Sequence, residues 1–149
     1  MEPRSDACEQ VLDEAGMLAF WRARLDEDEQ AAGKAAEPCG CHPPAPSWVF
    51  GDEETDGRIL IAGDPHPGMR RRLGKRWSGS YDGLFAACHI VRHDPARVLR
   101  DVDAARKRLA ALSEAIEAGH DSYDLASVLL PYELLPYADH PDYKEAWRP

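Results

Sequence analysis

Between His93 and Gly119 the apolar residues recur three and four apart, at Val98, Leu99, Val102, Ala105, Leu109, Leu112 and Ile116. That spacing lays them along one side of an α-helix and is incompatible with a strand, whose faces alternate every second residue. Asp94 suits the capping position before such a helix, Pro95 its first residue, and Gly119 its stop. Arg100, Asp101, Asp103, Arg106, Lys107 and Arg108 fall on the other side, as they should on a solvated face. A seam of this length must be covered. It is expected to lie over a β-hairpin and the first helix, and a homodimer through residues 98–116 is the alternative.

The rest of the chain sets what can do the covering. With 149 residues, it is long enough to bury roughly 70% of its unfolded surface without disulfides or metal. Its 18 basic and 27 acidic residues give a formal net charge of -9, which repels phosphate on average and disfavours whole-chain attraction to nucleic acid. No apolar run reaches membrane-spanning length, and the acidic start lacks the pattern of a secretion signal. The expectation is a cytoplasmic protein with no membrane association and reduced Cys8, Cys39, Cys41 and Cys88.

The pattern predicts a small single α+β domain over 1–149. Val11, Leu12, Met17, Leu18, Trp21 and Leu25 predict a helix over 8–36, divided by Gly16, with the acidic run Asp26–Glu29 on its solvated face. Proline-rich residues 37–46 form an irregular loop. Ser47–Phe50 and Arg58–Ala62 form a hairpin about Asp56-Gly57, and Leu73–Trp77 is the candidate third strand. A second irregular loop, 63–80, precedes a helix over Tyr81–Val91. The C-terminal helices are expected to be short, one of them over 122–130, because Pro131 and Pro136 limit them. Residues 131–149 then form a Pro/Tyr-rich docking tail anchored by Tyr143 and Trp147.

Two constellations could carry chemistry. Cys39, Cys41, His89 and His93 offer nitrogen and sulfur donors suited to zinc, although the two cysteines are closer together than usual and far from the histidines. The alternative is loop thiols, a small core residue at Cys88 and histidines bonded to backbone. Arg70, Arg71, Arg72, Lys75 and Arg76, ending at Trp77, could hold a nucleic-acid backbone and stack on a base. The same cluster could pair with this chain's own acidic hairpin or with an acidic protein. No nucleophile elbow, dinucleotide fingerprint or His-Glu-x-x-His helix occurs. The expected protein is therefore non-enzymatic, without a cofactor unless zinc, and acts by binding an unidentified protein partner.

Arg22–Gln30, His89–Arg100 and the ending Leu135–Pro149 resemble a family of uncharacterised proteins from actinomycetes such as Streptomyces and from their phages. The resemblance covers both ends and the long helix and implies an origin without an activity. Related chains resemble this one at His89 and His93, whereas Cys39–His42 looks like an individual departure, which weakens the zinc reading. Asp139 and His140 are candidate functional residues in the tail, with a structural role favoured.

Overall fold

A computed structural model of the chain describes residues 13–37, 47–50, 59–61, 72–73, 81–119 and 121–149. Helix α1 covers Glu14–Ala36, α2 Tyr81–Arg92, α3 Pro95–Ala118 and α4 Asp121–Leu134. Strands β1 (Trp48–Phe50), β2 (Ile59–Ile61) and β3 (Arg72–Leu73) form one antiparallel sheet in the order β1-β2-β3. The α+β expectation holds only coarsely, because the described residues are mostly helical and each strand spans two or three residues. No described helix is long and apolar enough to cross a membrane.

The chain divides into two compact units, Met1–Arg24 with Arg106–Pro149, and Leu25–Ala105. In the second unit, Trp48 pairs with Ile61 and Phe50 with Ile59, as a hairpin requires. Of the expected third strand Leu73–Trp77, Leu73 pairs with Ile59 and the preceding Arg72 pairs with Leu60, while residues 74–77 lie outside the described residues. Helix α2 lies against β1. Leu25, Ala32, Ala36, Val102 and Ala105 supply buried apolar residues here.

The start of α3 is the joint of this unit. Asp94 Oδ1 accepts from the backbone N–H of Arg97 at 2.8 Å, the capping bond expected of it, and Oδ2 accepts from the N–H of Trp48 at 3.2 Å. One carboxylate therefore starts the helix and holds the first strand. At the other end Gly119 has φ of 70°, which an L-residue with a side chain resists, and its N–H reaches the Ala115 carbonyl at 3.2 Å. The seam between these stops is buried at Val102, Ala105 and Leu109 within a single chain.

In the first unit, α1 begins one residue after its cap. Asp13 Oδ1 accepts from the N–H of Gly16 at 3.0 Å. Gly16 does not divide the helix, contrary to expectation; a Cβ there would meet the Asp13 carboxylate at 2.3 Å, so glycine leaves room for the cap. The inward side of this half carries Met17, Phe20, Trp21 and Arg24. Exposed Asp26, Glu27 and Glu29 continue the helix on its solvated side.

Helix α4 also runs further than expected. It continues through Pro131 to Leu134 and gives way to a 3-10 turn, Leu135–Tyr137, only where Pro136 enters. Proline removes one backbone donor, but Pro131 is itself buried between Leu130 and Leu134, and their burial offsets the lost bond. Replacing Asp94 with alanine should lower stability by about 1–2 kcal/mol in urea denaturation, with Asp94→Asn losing less. An unchanged midpoint in Asp94→Ala would contradict the joint assigned to this carboxylate.

Candidate functional site

The described side chains that converge most closely are those holding the tail to α1. Phe20, nearly buried, meets four rings from the tail at centroid distances of 6.4 Å (Tyr137), 5.7 Å (His140), 6.0 Å (Tyr143) and 5.2 Å (Trp147). The first three are edge-on, at 80°, 70° and 69°, so positive ring edges meet negative faces. Trp147, in the 3-10 turn Glu145–Trp147, is buried, and Tyr143 meets it edge-on at 5.9 Å. Tyr143 and Trp147 are thus the anchors their aromatic character suggests.

One turn along α1, Arg24 is only 7% exposed. A buried guanidinium needs partners. Its Nη1 lies 2.5 Å from His140 Nδ1, also contacts Nε2, and stands 3.8 Å from Asp142 Oδ2. The guanidinium carbon is 5.0 Å from the Phe20 ring centre, a cation over a π face. The N–H of Asp142 donates to His140 Nδ1 at 3.1 Å, closing the turn around the imidazole. His140 therefore serves to seat the tail, and Asp139 stands exposed beside it. At the outer end, Lys144 Nζ donates to Asp13 Oδ2 at 2.7 Å and lies 4.9 Å from the Trp147 ring centre.

Helix α4 is fixed from two sides. Glu14 accepts a hydrogen bond from Tyr123, which raises the phenol above its ordinary value of 10.0. Arg108 makes a two-pronged bond to Glu133 at 2.8 and 3.0 Å. With Ala126, Leu130 and Leu134 turned inward, Leu125, Val128, Leu129, Tyr132 and Leu135 come to lie outward. Among the described residues, these five and Val49 are the exposed large hydrophobics. Their spacing of three and four makes one continuous apolar strip along the helix.

The residues first singled out for chemistry fall elsewhere. His89 and His93 are exposed at the end of α2 with ring centres 4.5 Å apart, and Cys88 beside them is an exposed free thiol. Cys39 and Cys41 lie outside the described residues, as do Arg70, Arg71, Lys75, Arg76 and Trp77; only the backbone of Arg72, in β3, is described. No group of three or more His, Cys, Asp or Glu among the described residues could hold a metal ion. Two features escaped the reading of the sequence. The apolar positions taken from α1 passed over Phe20, although it lies three residues from Met17 and four from Arg24. The outer strip of α4 was hidden because Pro131 was expected to end the helix in its middle.

The Asp13–Lys144 clasp should show in the pH dependence of stability. The hydrogen bond from Lys144 holds the Asp13 carboxyl below its ordinary 3.8, so its contribution is complete above that pH and is lost as pH falls through the lowered value. Asp13→Asn keeps a capping oxygen but removes the charge. Its thermal midpoint should lie below that of the unaltered chain at neutral pH, and the two should converge once the pH has fallen through the lowered value of Asp13. A gap independent of pH would contradict the clasp.

No curated protein and no solved structure matches this chain. Residues 14–149 match the family of unknown function DUF6221; the chain belongs to that family.

Proposed function

We propose that this chain is a non-enzymatic protein-interaction module whose contact surface is the outer face of α4, and that its occupant is an apolar helical segment of a different protein. The observation that carries this reading is the strip Leu125, Val128, Leu129, Tyr132 and Leu135, with Leu125 64% and Val128 60% exposed. Scattered exposed apolar residues need no explanation, but a continuous strip along one helix does. Residues at i, i+3, i+4 and i+7 are the anchors by which one helix seats another. Tyr132, 55% exposed near the middle, adds the aromatic area that interface centres favour.

The strip also has the support that a binding face needs. Its backbone is held through Glu14, Arg108 and the inward Leu130 and Leu134, so the outer side chains are presented on a rigid element. The motifs at Arg22–Gln30, His89–Arg100 and Leu135–Pro149 support a source among actinobacteria or their phages.

Panning a displayed library of random 18-residue peptides on the whole chain tests the reading. The enriched peptides should carry apolar residues at i, i+3, i+4 and i+7. They should bind at least about tenfold more weakly to a Val128→Asp, Tyr132→Asp variant, whose helical circular dichroism is unchanged. Binders indifferent to that variant, or no enrichment, would contradict it.

A further inference from the structure

We propose that His89 and His93 together form a binding site for a divalent transition-metal cation that prefers right-angled coordination, Ni²⁺ or Cu²⁺, independent of the α4 face. The two rings are exposed, with centres 4.5 Å apart and planes at 41° to one another. Imidazole nitrogen suits such cations. A spacing of four residues sets both side chains over the same side of the last turn of α2.

The backbone under this pair is fixed from both directions. The N–H of His93 donates to the carbonyls of His89 at 3.2 Å and Ile90 at 3.1 Å, which keeps His93 in helical register one residue past Arg92, where α2 ends. Asp94 follows directly, capping α3 and accepting from Trp48. Donors carried on so firm a support need little rearrangement to bind. The end of α2 is also the negative end of the helix dipole, which favours a cation. Arg92, exposed in the same turn, opposes one, whereas Arg97 is balanced by Asp101 at 3.4 Å.

The separation of the rings selects the metal. A cation bonded to one ring nitrogen at about 2.0–2.1 Å lies about 3.2 Å from the centre of that ring. Two rings sharing it stand about 4.5 Å apart when their bonds meet at a right angle and about 5.2 Å apart at the tetrahedral angle. The observed 4.5 Å fits the right angle of tetragonal or octahedral Ni²⁺ and Cu²⁺ rather than the tetrahedron of structural zinc. Among the described residues no group of three or more His, Cys, Asp or Glu could hold a metal. Water therefore fills the positions that the two rings leave. Cys88 is exposed but projects about 100° around the helix from His89, so its thiol is not a ligand.

Equilibrium dialysis of the whole chain against Ni²⁺, and separately Zn²⁺, in a non-coordinating buffer tests the site; nickel is chosen because the free thiol beside the site does not reduce it. One Ni²⁺ should bind at the tightest site, more tightly than Zn²⁺ and without a thiolate-to-nickel absorption band. His89→Ala and His93→Ala should each weaken it at least about tenfold, since each removes half of a chelating pair, while helical circular dichroism stays unchanged. Cys39→Ser, Cys41→Ser should leave it unaltered, and bound Ni²⁺ should raise the thermal midpoint of the unaltered chain but not of His93→Ala. Nickel binding indifferent to both histidine variants overturns the proposal. A preference for Zn²⁺ that the cysteine variant abolishes also overturns it, in favour of a tetrahedral set with thiolates. So does the absence of Ni²⁺ binding by the unaltered chain.

Discussion

The arrangement of the first unit depends on Phe20. This ring collects Tyr137, His140, Tyr143 and Trp147, which come from residues 137–147, onto one turn of α1. Arg24, one turn further on, adds direction: a planar cation over the Phe20 face can also meet His140 and Asp142 only if the tail enters in one orientation. Aromatic area supplies the driving force and the buried guanidinium supplies the register. The Asp13–Lys144 pair then closes the far end, where the cap of α1 and the last turns of the chain meet.

That docking has a consequence for α4. Because the tail's aromatic residues are committed to α1, they do not cover the outer side of the helix that precedes them. Helix α4 is apolar on two opposite sides, with Leu130 and Leu134 fully buried on one and Leu125, Val128, Leu129, Tyr132 and Leu135 exposed on the other. Each large apolar side chain left in water forgoes up to about 1.5–3 kcal/mol of burial. A helix shaped only for its own unit would carry polar residues there. Leu129-Leu130-Pro131-Tyr132, nearly repeated as Leu134-Leu135-Pro136-Tyr137, shows the same division at residue level: Leu130 and Leu134 face in, while Leu129 and Leu135 face out.

Much of this is legible in the sequence, where local chemistry decides the outcome. Asp94, Pro95 and Gly119 delimit α3 as their backbone preferences require, and Trp147 is an anchor because so large an aromatic ring gains most from burial against another. The misreadings arise where a local preference is overridden. Pro131 does not end α4, because the buried leucines on either side of it outweigh one missing donor. Gly16 does not break α1, because the Asp13 cap occupies the space beside it. The pairing partners of the strands are not legible in the sequence, since β pairing depends on a neighbour's register that no single segment encodes. Of the proposed zinc set, the histidines His89 and His93 do adjoin, and the sequence spacing of four explains why.

Hydroxyl-radical footprinting of the isolated chain, at a concentration where it is monomeric, tests most directly the claim that the tail is docked on Phe20 and leaves α4 open. Leu125, Val128, Leu129 and Tyr132 should be oxidised readily, while Phe20, Leu130, Leu134 and Trp147 stay protected. Protection of Tyr132 together with ready oxidation of Trp147 would contradict the account, because the outer strip would then be covered and the tail undocked.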